Sequence, residues 1–191
     1  DKTINVKFLQ KTQNSVNRMI ALVEDLEEIS KLESVNLELN VESFNLYELA
    51  TEVIDFMEQK ALLNKTKIII NPIASKSIKV LADIRRIRQV MINLIDNAIK
   101  YGKMDDPVVT ISFYNFHDNY LIEIQDNGIG MPEENLVRVF ERFYRTEESR
   151  SRDKGGMGLG LAIVKHIIEA HRQTISVRSN LGEGTTFSFT L

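Results

Sequence analysis

Nine glycines occur in this chain of 191 residues, and none lies among the first 101. Gly102 stands apart, and the other eight fall between Gly128 and Gly184. Glycine reaches backbone geometries that other residues resist, and it lets a ligand or another main chain approach closely. The first half therefore reads as regular structure and the second half as loops that wrap around something. A chain with 43% hydrophobic and 27% charged residues can bury a true core. A net charge of -3 gives no general field for nucleic acid, so no nucleic-acid partner is expected. The absence of cysteine excludes a disulfide scaffold, a thiol nucleophile and a zinc site built on cysteine. No apolar run approaches the ~20 residues of a membrane span, and the amino end lacks the apolar core of a signal peptide. A cytoplasmic chain is expected.

Periodicity predicts one long helix over 3–33. Val16, Met19, Val23 and Leu26 form one stripe, and Met19, Leu22, Leu26 and Ile29 form another. Together they make a face wide enough for a helical bundle. The plainer alternative is packing on the chain's own domain, although ~45 Å is long for so small a body. Leu37, Leu39 and Val41 alternate as a short strand. Further helices are expected over 46–63, 84–101 and 158–171, with a short one from Pro132 to Val139. Strands are expected over 67–71, 77–81, 174–178 and 185–191. A hairpin over 108–116 and 120–125 turns at His117, Asp118 and Asn119. Residues 144–156 read as a polar, basic, mobile loop. Such alternation suggests a helical layer on one face of a mixed sheet.

Four segments carry chemistry. In the helix 84–101, Gln89, Asn93, Asn97 and Lys100 share a stripe opposite the apolar face. Asparagine is a poor interior helix residue, so two of them one turn apart need a reason. Amide oxygens can ligate Mg²⁺ and a lysine can meet phosphate; a solvated polar face is the bland alternative. Asp126-Asn127-Gly128-Ile129-Gly130 follows a strand but leads into Pro132 and a helix rather than a partner strand. An aspartate there can accept from an exocyclic amine, or can simply make a turn. Gly155-Gly156-Met157-Gly158-Leu159-Gly160 opens a helix whose free N–H groups suit phosphate. It is neither a Walker A loop nor a dinucleotide fingerprint. Gly182-Glu183-Gly184-Thr185 precedes the final strand and by itself is a common turn.

The order of these segments is more specific than any one of them. With Val139-Phe140-Glu141-Arg142-Phe143-Tyr144, the series resembles the N, G1, F, G2 and G3 boxes of sensor histidine kinases, members of the GHKL superfamily. The resemblance covers about 38–191. Residues 1–34 resemble the second helix of that family's dimerisation and histidine-phosphotransfer hairpin, without the first helix and its acceptor histidine.

The resemblance implies an α/β sandwich, with a mixed five-stranded sheet, a helical layer and an ATP lid, preceded by one long helix. It implies ATP and Mg²⁺ as cofactors. Asp126 would accept from the adenine amine, and Thr185 would hold a bridging water. Gly128 and Gly130 would let the backbone lie close to the base. Asn97, helped by Asn93, would ligate Mg²⁺. Lys100 and Tyr101 would meet phosphate or sugar, and Arg142 the γ-phosphate. Gly156, Gly158, Leu159 and Gly160 would cradle phosphates. ATP-hydrolysing relatives carry a glutamate where this chain has Asn93, and an amide cannot activate water as a general base. That favours transfer to a protein over hydrolysis, and the resemblance implies a response regulator downstream, a homodimeric parent and a membrane anchor elsewhere in it. An anti-sigma-type serine kinase is the alternative within the superfamily. Arg172 and Gln173 stand where the family usually has two glycines, and His117, His166 and His171 are expected to be structural or surface residues.

Overall fold

The computed structural model describes residues 2–32, 38–72, 76–103, 105–146 and 157–191. Its elements are α1 (Lys2–Leu32), β1 (Glu42–Asn45), α2 (Leu46–Leu63), β2 (Lys67–Ile70), β3 (Lys79–Ala82) and α3 (Ile84–Tyr101). They continue with β4 (Val108–Phe116), β5 (Asn119–Asp126), α4 (Glu133–Leu136), α5 (Gly160–Ala170), β6 (Ile175–Asn180) and β7 (Gly184–Thr190). Five strands form one sheet in the order β2-β4-β5-β7-β6, while β1 and β3 make a separate antiparallel pair. The β2–β4 pairing is parallel and the others in the large sheet are antiparallel. This is the mixed five-stranded sheet and helical layer expected from the sequence.

The core lies between that sheet and the helices. From α3 come Val90, Met91, Leu94 and Ile95, and from the sheet Ile111, Ile122, Ile124, Phe187 and Phe189. Ile163, Ile167 and Ile168 of α5 complete it, and α2 flanks α3 on the other side. Two polar side chains fix where the layer begins. Asn45 caps α2, its side chain accepting from Tyr47 N, and Asp83 caps α3, accepting from Arg85 N and Arg86 N. Asp83 also ties in distant chain: its other oxygen accepts from Asn40 N at 3.0 Å, and its own N–H donates to His171 Nε2 at 3.0 Å. His171 Nδ1 lies 2.7 Å from the Ile167 carbonyl and donates to it, so this histidine is a structural bracket between α3 and α5.

Two expectations change. The strand foreseen at Leu37, Leu39 and Val41 is replaced by β1, one step later. Residues 38–41 are irregular, and Leu37 lies outside the described residues. Pairing decides this: Glu42 to Asn45 have partners on β3, from Ala82 to Lys79, whereas the exposed Val41 has none there. The helix after Pro132 ends at Leu136, not Val139; Arg138 N and Glu141 N then bond three residues back, in successive turns. Arg172 and Gln173 still make the tight turn that glycines would favour. Arg172 adopts φ 57° and Gln173 N bonds to Ile168 O. Arg172 N bonds to Glu169 O, which completes a Schellman ending of α5.

The helix α1 packs on the chain's own domain, which is the plainer of the two readings. It packs against α5, and Ile29 is buried. Val16, Met19, Val23 and Leu26 remain exposed.

Candidate nucleotide site

A cleft of about 320 Å³ opens between α3, the loop after β5 and the start of α5. Its volume falls in the range of small-molecule sites. Among its lining residues are Asn93, Asn97, Lys100, Tyr101, Asp126, Gly130, Gly158, Leu159, Gly160 and Thr185. Segments far apart in sequence, from Asn93 to Thr185, therefore meet on one hollow. Gly128 stands behind the wall, Arg142 lies outside the lining, and Gly156 with the rest of 147–156 lies outside the described residues.

Asp126 ends β5, and its carboxylate is buried. Oδ1 accepts from Gly128 N at 2.8 Å and from Thr185 N at 3.3 Å. Both bonds fall on one oxygen, which leaves Oδ2 for a donor in the cleft. Burial raises the carboxyl pKa to about 6, and the two backbone hydrogen bonds only partly oppose the rise. A buried acceptor with no cation beside it among the described residues suits an exocyclic amine better than a charged ligand.

The glycines around it let main chains approach one another. A Cβ on Gly128 would stand 2.2 Å from the Tyr101 carbonyl oxygen, so this glycine lets the loop close against the end of α3. Ile129 N also bonds to that carbonyl. Gly130 adopts φ 65°, and its Cβ would fall 1.9 Å from the Asn180 carbonyl oxygen. Gly128 and Gly130 thus let neighbouring backbones touch.

Sequence reasoning missed Ser179, which fastens this loop from the other side. Its Oγ accepts from Met131 N at 2.8 Å and lies 2.7 Å from the Gly184 carbonyl and 2.9 Å from Thr185 Oγ1. With its own proton on the carbonyl, Ser179 accepts from Thr185. No motif flags a serine on an edge strand; only the β6–β7 register, with Ser179 opposite Thr185, reveals it.

The opposite end of the cleft is built for negative charge. α5 starts at Gly160 with no side-chain cap and no acidic residue in its first turn. The first N–H groups of a helix have no acceptor within it, and with the helix dipole they favour phosphate. Asn93 faces it, with Oδ1 3.5 Å from where a Cβ on Gly160 would be. Lys100 Nζ lies 2.6 Å from Asp96 Oδ2, and Lys60 on α2 holds Asp96 Oδ1. Asp96 lines the cleft as well, and neither it nor Lys60 was foreseen. Their signal is three-dimensional, since Lys60 is 36 residues from Asp96.

The neck of the expected lid is pinned. Phe143 N donates to Gly158 O at 2.9 Å, and Gly158, at φ 75°, has no room for a side chain beneath Tyr144 and Phe143. Tyr144 donates to Asn135 Oδ1 at 2.6 Å, and Arg138 stacks over its ring. Arg145 and Thr146 turn into the cleft. Arg142 is exposed, close enough to His166 that, after burial, its charge helps lower that imidazole's pKa.

The residues fit Mg²⁺ on particular terms. Among the described residues no group of three His, Asp or Glu could cage a cation. Asn93 and Asn97 offer neutral amide oxygens to the cleft, which suits an ion held chiefly by phosphate and water.

Residues 82–191 match the family described as histidine kinase-, DNA gyrase B-, and HSP90-like ATPase. The chain belongs to this family of nucleotide-binding domains. Within it, the chain is 37% identical over its whole length to the sensor histidine kinase WalK of Bacillus subtilis (strain 168), of which it spans 31%. Its structure is similar to that of full-length ShkA in complex with AMPPNP. The TM-score is 0.81 at 25% identity, covering 96% of this chain and 38% of that one. It is also similar to the histidine kinase ThkA in complex with the response regulator protein TrrA, with a TM-score of 0.75 and 27% identity. That match covers 94% of this chain and 48% of that one. The chain thus spans about a third to a half of the length of these three proteins.

Proposed function

We propose that this chain is the ATP-binding catalytic part of a sensor histidine kinase, passing the γ-phosphate of Mg-ATP to a histidine outside residues 1–191. The observation that carries the reading is the pairing of two ends in one cleft. A buried amine acceptor, Asp126, lies at one end, and the uncapped start of α5 with Lys100 lies at the other. Asp126 orients the base through its amine. Thr185 and Ser179 hold the loop that positions Asp126. The N–H groups at the start of α5 receive phosphate oxygens, and Lys100 adds a point charge. Mg²⁺, held by Asn97 with Asn93, would neutralise phosphate charge and polarise the transferred group. Arg142 and the segment 147–156 are proposed to complete the phosphate end on closure.

Asn93 distinguishes transfer from hydrolysis. Its amide faces the phosphate end and cannot take a proton from water. The serine-kinase alternative has less support, because the likeness to WalK runs across the whole chain, α1 included. Residues 1–34 then serve as the second helix of a dimerisation hairpin, through which the parent forms a homodimer. A response regulator is the proposed onward acceptor, as ThkA's complex with TrrA suggests by analogy. The parent is proposed to be membrane-anchored with this part in the cytoplasm; no helix among the described residues is long and apolar enough to cross a membrane.

Calorimetry with Mg-ATP tests the reading. Saturable binding of ATP and ADP is expected, with negligible phosphate release over the same period. Absence of binding, or steady ATP hydrolysis without any acceptor, would overturn it.

A further inference from the structure

Asp96 is one carboxylate shared by two lysines on different helices. Lys100, one turn along α3, reaches Oδ2 at 2.6 Å. Lys60, from α2, reaches Oδ1. Asp96 and Lys100 both line the nucleotide cleft, and Asp96 also lines a second groove in which Lys60 and Asn93 sit. An acidic side chain in a phosphate site needs an explanation, since it opposes the ligand's charge.

We propose that Lys60 is a positioning residue for the phosphate end of the site, acting through Asp96. The proposal rests on the nucleotide reading given above. When Lys100 turns to a phosphate, it gives up part of its bond to Asp96. Without another cation, that carboxylate would then face the triphosphate across the cleft. Lys60 stays on Asp96 from outside, keeps its charge compensated and releases Lys100 for the ligand. Asp96 is only 18% exposed and Lys60 is 45% exposed, so the pair is screened less than a surface pair but more than a buried one. Lys60 belongs to no glycine-rich or asparagine-bearing segment, and it reaches the site only because α2 packs along α3.

The test compares ligands with and without phosphate. Binding of adenosine and of Mg-ATP is measured for the parent chain, Lys60→Met, Lys60→Arg and the double variant Lys60→Met with Asp96→Asn. Lys60→Met should weaken Mg-ATP about fivefold at low salt, with the deficit shrinking as salt rises. Adenosine affinity should stay within twofold. Lys60→Arg should retain most of the ATP affinity, and the double variant should recover it, because the charge that Lys60 compensates is gone. A merely structural lysine would lower both ligands alike and would not be rescued by removing Asp96; that result overturns the proposal, as does unchanged ATP affinity in Lys60→Met. Failure of the parent to bind any adenine nucleotide would instead remove the nucleotide reading on which the proposal rests.

Discussion

At Asp126 the needs of the fold and the needs of the ligand diverge. Its carboxyl pKa is raised to about 6 from 3.8 by burial. The folded chain therefore holds that proton more tightly than the unfolded chain. The stability it contributes is full below pH ~4 and is lost as pH rises through about 6. Recognition of an amine runs the other way, because the ionised carboxylate is the stronger acceptor. Adenine-nucleotide affinity should fall as pH drops through 6, while the ligand-free chain becomes more heat-resistant. Asp126→Asn keeps an Oδ1 for Gly128 N and Thr185 N but removes the buried charge. It should raise the melting temperature at pH 7 and flatten the pH dependence of both properties. It should also weaken ATP roughly 10- to 150-fold, the ~1.5–3 kcal/mol of a charge-assisted bond. Calorimetry and thermal melts from pH 5 to 8 check both halves; ATP affinity within twofold of the parent would reduce Asp126 to a turn residue. This residue was legible from its place at a strand end beside two glycines. The reason for those glycines was not, because contact with the Tyr101 and Asn180 carbonyls exists only once α3 and β6 are in place.

Local pattern located the elements well wherever periodicity was long, as in α3, and less well where partners set the limits. β1 sits where β3 offers hydrogen bonds rather than where Leu39 and Val41 alternate. Two helix endings carry costs the sequence conceals. α2 and α5 both close in Schellman geometry, with Lys65 at φ 55° and Arg172 at φ 57° at the left-handed position. A side chain there costs about 1–2 kcal/mol, less the added unfolded-state freedom of glycine. Arg172→Gly and Lys65→Gly should each stabilise the chain by about 0.5–1 kcal/mol, read as a rise of a few degrees in melting temperature. Gly130→Ala should do the opposite, since φ 65° and the Asn180 carbonyl leave no space. A lower melting temperature for Arg172→Gly would mean that its side chain makes compensating contacts.

Across the whole molecule, α1 does two things at once. Ile29 anchors it to the body, and Ala21 reaches the rim of the nucleotide cleft, while the stripe from Val16 to Leu26 faces outward. The stripe was plain in the sequence; the anchoring was not, since one buried isoleucine looks like any other apolar position on the helix. Val16→Glu with Met19→Glu and Val23→Glu should abolish self-association in sedimentation measurements and leave ATP affinity within twofold. A dimer that survives these changes would place the interface elsewhere. The expected lid can be followed by trypsin, which cuts after arginine and lysine. Cleavage between Arg145 and Lys154 should slow several-fold with a non-hydrolysable ATP analogue and Mg²⁺, and equal rates would rule out ordering by ligand.

Phosphotransfer itself is tested by incubating the chain with γ-labelled Mg-ATP and a separately supplied dimerisation hairpin that carries an acceptor histidine. The expected result is label on the hairpin alone, stable to base and lost in acid, with none on His117, His166 or His171 of this chain. Label on one of those three histidines, acid-stable label on serine, or an unlabelled hairpin despite saturating ATP would contradict the assignment.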